Sequence, residues 1–156
     1  MTSARRELMV EGLAAPISHY CDAVRFGELL FISGVPPTDA GGRVVSEDVA
    51  AQARQVFLNM KLVLEAAGAS FADILKVTVY LLDVNDRSRI NPVRKEFFGA
   101  ARPASTLIGV RELAIPGMKV EIEAVAGVRA ATGSRRSAGA RRARKSTRRP
   151  SARRHR

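Results

Sequence analysis

Apolar positions recur at steps of three and four through the middle of the chain. Val49, Ala53, Val56, Phe57, Met60, Val63, Leu64 and Ala67 form one stripe, and Gln52, Arg54, Gln55, Asn59, Lys61 and Glu65 fall elsewhere. That period predicts an amphipathic helix. Ser46 and Asp48 are candidate caps at its start and Gly68 is a natural stop. Ser70 with Asp73 predicts a second, short capped turn.

On either side of this helix the pattern changes. Val24 to Val35 reads as two short strands joined at Gly27-Glu28, a pair suited to a tight hairpin, and Pro36-Pro37 ends the second strand because proline cannot donate to a ladder. Ile74 to Leu82 is apolar and β-branched, a buried strand. Asn85 to Phe98 reads as a helix opened by Asn85 or Asp86, with Pro92 as a potential break in its first turn. Thr106 to Val110 is a strand. Lys119 to Val128 alternates Val120, Ile122 and Ala124 against Glu121 and Glu123, which predicts a strand with one charged face.

The predicted order is ββ-α-β-α-ββ, an α+β domain whose mixed sheet carries two helices on one face. The opposite sheet face is too apolar for water along Ile74 to Leu82 and Thr106 to Val110. It therefore invites association with further copies, and a closed ring is the economical form.

Charge changes the picture at one place. Of 26 basic residues in 156, 11 lie in residues 130–156, which hold no acidic residue. The 15 basic and 15 acidic residues of 1–129 cancel, so the formal net charge of +11 belongs to the last 27 positions. That segment of Ala, Gly, Ser and Arg has no aromatic or large aliphatic residue, and it is expected to be a disordered basic tail following a domain at 1–129. Such a tail neutralises phosphates without base stacking, which predicts salt-sensitive, non-specific binding of nucleic acid.

A single cysteine, Cys21, forms no intrachain disulfide, no apolar run is long enough for a membrane span, and Met1 to Val10 has no apolar stretch after Arg5 and Arg6. These features point to a cytoplasmic protein without a membrane partner.

Three segments together resemble the RidA (YjgF) family, over roughly residues 10–128. They are Ser18 to Val24 with Phe31-Ile32-Ser33-Gly34; Asp48 to Val56 continuing to Gly68; and Val84-Asn85-Asp86 with Ile90-Asn91, Arg102 to Thr106 and Lys119 to Val125. The resemblance implies a chorismate-mutase-like fold and a homotrimer with a central barrel, with small-molecule ligands held in clefts between subunits. Active members hydrolyse enamines and imines such as 2-aminoacrylate to 2-keto acids and ammonia, with no metal or organic cofactor.

By position, Tyr20, Ser33 and Asn91 match the family's tyrosine, serine and asparagine, and Glu121 matches the glutamate that positions water. The residue that grips the substrate carboxylate in active members is an arginine, and its position here is Ser105. Leu107 replaces the family's cysteine and His19 a proline. A neutral hydroxyl in place of a bidentate guanidinium weakens a carboxylate ligand by about 2–3 kcal/mol, or roughly 30–150-fold.

The resemblance therefore leaves two readings: a deaminase of weak or altered activity, or a non-catalytic trimeric binder of small molecules whose basic tail engages nucleic acid. Glu121 and Tyr20 are the candidate catalytic residues. Ser33, Asn91, Ser105, Thr106 and His19 are candidates for substrate binding, Ser105 and Thr106 as a neutral hydroxyl pocket. Arg102 and Arg111 are the nearby cations in sequence. Cys21 lacks a cationic neighbour to activate it.

Overall fold

A computed structural model describes residues 4–128. The basic segment 130–156, with the binding predicted for it, lies outside the described residues. Six strands form one mixed sheet: β1 (Arg5–Leu8), β2 (Ala23–Phe26), β3 (Leu29–Val35), β4 (Ile74–Leu81), β5 (Ala104–Gly109) and β6 (Val120–Gly127). The spatial order is β1-β2-β3-β6-β4-β5, with only the β4–β5 pair parallel. Helices α1 (Val49–Ala66) and α2 (Arg87–Phe98) pack on one face. None of the described helices is long and apolar enough to cross a membrane.

The hairpin forms at Gly27-Glu28, with Gly27 at φ +63°, and β3 stops before Pro36. Asp48 caps α1 by accepting from the Ala51 amide, and Ser70 and Asp73 form a reciprocal capping box. The Val49, Ala53, Val56, Phe57, Met60, Val63 and Leu64 stripe is buried against the sheet. Phe57, Phe71, Phe97 and Phe98 make an aromatic cluster between the helices and the turn before β4. Arg54 reaches across from α1 to Glu96 on α2 in a bidentate pair at 2.6 Å.

Four features differ from the sequence pattern. Strand β1 pairs with β2 although Arg5–Leu8 carries only one apolar residue, because an edge strand needs only its backbone groups to join a ladder. Pro92 lies inside α2 without ending it, and a one-turn 3-10 helix at Val84–Asp86, capped by Asp83, leads into that helix.

Gln52 and Asn59, expected on the outer face of α1, are buried because they serve loops. Gln52 Nε2 donates to the carbonyls of Ser46 and Gly117 at 2.7 and 2.8 Å, and its Oε1 accepts from the Lys119 amide at 2.7 Å. Asn59 Nδ2 donates to Pro36 and Thr38. Finally, β6 is interior to the sheet despite its charged face: it lies between β3 and β4, antiparallel to both. Its Glu121 and Glu123 therefore project from the middle of the sheet.

Candidate functional site

The face of the sheet away from the helices is set by the period of two along each strand. On β6 the residues Val120, Ile122, Ala124 and Ala126 are buried beneath the helices, so Glu121 and Glu123 point to the other side. Register places Tyr80 opposite Glu121 and Thr78 opposite Glu123. The Tyr80 hydroxyl donates to Glu123 Oε1 at 3.1 Å, and burial, then this bond, raises the phenol's pKa and keeps its proton in place.

Strand β3 carries a bulge against β6. Ile32 pairs with Ala124 and Val35 with Ile122, so Ser33 and Gly34 together oppose Glu123. Bulges re-aim side chains beside functional sites. Here the bulge brings Gly34 against the neighbouring carboxylate: a Cβ on Gly34 would stand 2.7 Å from Glu121 Oε1. Glycine at 34 thus leaves the space the Glu121 carboxylate occupies. The Ser33 hydroxyl donates to the Cys21 carbonyl at 2.6 Å, which leaves its lone pairs as acceptors. Cys21 donates its own thiol proton to the Ala23 carbonyl.

Tyr20, Ser33, Gly34, Glu121 and Glu123 line one cavity of about 420 Å³, walled further by Ile17, Pro36, Ile115 and Met118. Gln52 holds the backbone on both sides of Met118, and so fixes that wall. Among the described residues the Glu121 carboxylate accepts no hydrogen bond, and burial, followed by the like charge of Glu123, pushes its pKa up. A carboxyl shifted in this direction holds its proton closer to neutral pH, as acid–base work requires. His19 is exposed and does not line this cavity.

Asn91 lies elsewhere. It opens a second cavity of about 420 Å³ with Arg94, Lys95, Arg102 and Pro103, and the two cavities share no residue. Ser105 and Thr106 are separated by the pleat of β5. Ser105 Oγ accepts from Arg94 Nη2 at 3.0 Å, whereas Thr106 pairs with Thr78 on the other face and bonds Lys76 Nζ at 2.6 Å. They do not form a joint hydroxyl pocket within the chain. Arg102 lines the Asn91 cavity, while Arg111 is solvent-exposed beside Glu112. Sequence reasoning missed Gly34 and Arg94. The second had a signal, because Arg94 follows Asn91 by three residues on a helix and so shares its face.

A mixed six-stranded sheet, helices on one face and carboxylates on the other, and two polar cavities that share no residue together make an α+β protein of the RidA type. The endoribonuclease L-PSP family model matches residues 12–128, and the chain belongs to this family, the RidA/YjgF family. A RutC family protein of Pyrococcus horikoshii is 42% identical over 120 residues, covering 76% of this chain and 94% of that protein. The 2-iminobutanoate/2-iminopropanoate deaminase of Salmonella typhimurium is 38% identical over 124 residues, covering 78% and 96%. Among solved structures, Escherichia coli TdcF with bound serine superposes with a TM-score of 0.71 at 36% identity, over 80% of this chain and all of that one.

Proposed function

We propose that this chain is a hydrolytic deaminase of small enamines and imines. It works as a homotrimer in which the Glu121 cavity of one protomer faces the Asn91 cavity of the next. The observation that carries the reading is Glu121: a half-buried carboxyl with a raised pKa, beside Tyr20 and Ser33, in a cavity large enough for a three- or four-carbon substrate. Support for the assembly comes from Leu29, Phe31 and Ile108, which are exposed on the helix-free face of the sheet, and from the separation of the two cavities in a single chain. Relatives named as 2-iminobutanoate/2-iminopropanoate deaminases support the reaction class.

The chemistry asks for two proton movements. Protonation of the enamine's terminal carbon turns the C=C pair into a C–H bond and leaves an iminium. Water then adds to the iminium carbon, gives up a proton, and the C–N bond breaks as ammonia leaves, so that 2-aminoacrylate and water become pyruvate and ammonia. Glu121 carries the proton in its acid form and accepts one from water in its carboxylate form. Tyr20, whose phenol has no hydrogen bond among the described residues, and Ser33, an acceptor toward the cavity, orient the polar end of the substrate.

The test is direct. Full-length protein added to enzymatically generated 2-aminoacrylate is expected to accelerate pyruvate formation above the uncatalysed rate. A rate equal to that without protein sinks the deaminase reading. Ser105 in the place of the family's arginine favours the second reading, a trimeric binder without turnover. Pyruvate binding with no acceleration would establish it.

Gly34→Ala probes the bulge. The added methyl meets the mobile end of Glu121, so the carboxylate moves and the fold does not. Turnover of 2-aminoacrylate is expected to fall roughly 10- to 100-fold, since a displacement near 1 Å at a reacting group has effects of this size. The thermal midpoint is expected to stay within about 2 °C of wild type, which corresponds to well under 1 kcal/mol.

A further inference from the structure

The second cavity has an unusual charge balance. Arg94, Lys95 and Arg102 line it together with Asn91, and no acidic side chain does. Of the three cations Arg94 is the least exposed. Its guanidinium is within salt-bridge reach of no carboxylate among the described residues, and its one hydrogen bond there is the 3.0 Å contact with Ser105 Oγ. Elsewhere on the helices Arg54 and Arg89 both pair with carboxylates.

A guanidinium has five N–H donors in a rigid fork matched to a carboxylate. Removing one from water without an anion costs free energy, and burial alone lowers the pKa of Arg94 for that reason. A serine at 105 satisfies one donor, and its short side chain leaves room for the arginine to lie over it. A longer cation at 105 would compete with Arg94 for the same space and repel it.

From this arrangement we propose that Arg94, steadied by Ser105, is the group that binds the carboxylate of the substrate, with Asn91 one helical turn away completing the anion site. The inference rests on the deaminase reading for the identity of the substrate, though not for the existence of an anion site. It makes Arg94 a substrate-binding residue and Ser105 a positioning residue.

The test uses the full chain, with pyruvate as a carboxylate probe and 2-aminoacrylate as substrate. Arg94→Met keeps the length of the side chain and removes the charge. It is expected to weaken pyruvate binding, followed by NMR titration, on the order of 10- to 100-fold. It raises KM for 2-aminoacrylate by a similar factor while kcat changes little. Arg94→Lys, a cation without the fork, falls between. Ser105→Ala gives a smaller rise in KM that Ser105→Thr reverses, a pattern that simple loss of packing would not produce.

Should Arg94→Met lose folding, as seen by circular dichroism, the Arg94→Lys and Ser105→Ala results decide. Unchanged pyruvate affinity and KM in these variants overturn the assignment, as does a wild type that binds no pyruvate at millimolar concentration. A wild type that binds pyruvate through Arg94 and leaves 2-aminoacrylate untouched removes the deaminase reading alone.

Discussion

Glu121→Gln is expected to lower kcat/KM for 2-aminoacrylate by about 100-fold or more, the range by which a positioned acid or base contributes. Glutamine fills the same volume between Gly34 and Glu123 but neither gives nor takes a proton. The variant should therefore fold, and its stability carries a second signature.

The folded-state pKa of Glu121 is raised above the ordinary carboxylate range by burial and by Glu123. An acid shifted in this direction favours the fold while protonated, at pH below its unfolded pKa, and that contribution is lost as pH rises through the folded pKa. At neutral pH the ionised group opposes folding, so Glu121→Gln is expected to unfold at a higher temperature than wild type. The difference should vanish in acid, where both chains are uncharged at 121. The same shift places the acid limb of the wild-type pH–rate profile above the ordinary carboxylate range. Glu123→Gln should move that limb part of the way down, since it removes the like charge and leaves the burial. Full activity in Glu121→Gln would transfer the proton chemistry to another group.

Gln52→Leu is expected to destabilise the fold by about 3–5 kcal/mol, seen as a lower urea midpoint at fixed protein concentration. Leucine matches the size of the side chain and suits a helix. Yet it strands the Ser46 and Gly117 carbonyls and the Lys119 amide, which Gln52 pairs in an interior where it has no solvent exposure. The three bonds are part-buried and Gly117 is itself exposed, so each lost partner falls toward the lower end of the range of about 1–3 kcal/mol that an unpaired buried group costs. The segment it releases carries Met118 and leads into Glu121, so the surviving folded protein should also bind substrate poorly. A loss below about 1 kcal/mol would mean that the loop finds other partners.

Much of the architecture was legible along the chain because it follows from local period and local chemistry. The α1 stripe, the Asp48 cap, the Ser70–Asp73 box, the Gly27 turn and the stop at Pro36 each depend on residues within a few positions of one another. The alternation of Glu121 and Glu123 marked a two-faced strand for the same reason. What the period misjudged were Gln52 and Asn59, whose polarity reads as solvent exposure. Apart from the Ser46 carbonyl six residues upstream of Gln52, their partners are loop backbones 21 to 67 residues away, and nothing local announces those. Strand β1 escaped notice because an edge strand recruited through its backbone carries no apolar alternation.

The candidate site divides along the same line. Residue types at family positions singled out Tyr20, Ser33, Asn91 and Glu121 on the sequence alone. That Tyr20, Ser33 and Glu121 lie together and Asn91 apart from them came only from the folded chain. Insertion of β6 between β3 and β4 puts Glu121 beside the Ser33–Gly34 bulge, and the pleat of β5 turns Ser105 toward Arg94 and Thr106 away from it.

The sequence by itself determined the helices, the turns and the α+β class, since these express preferences of short segments. Only the tertiary structure decided which strand lies at the centre, which polar side chains are buried and that Ser105 on β5 meets Arg94 on α2. Those depend on pairings between distant segments, and such pairings are selected by the packing of the whole domain.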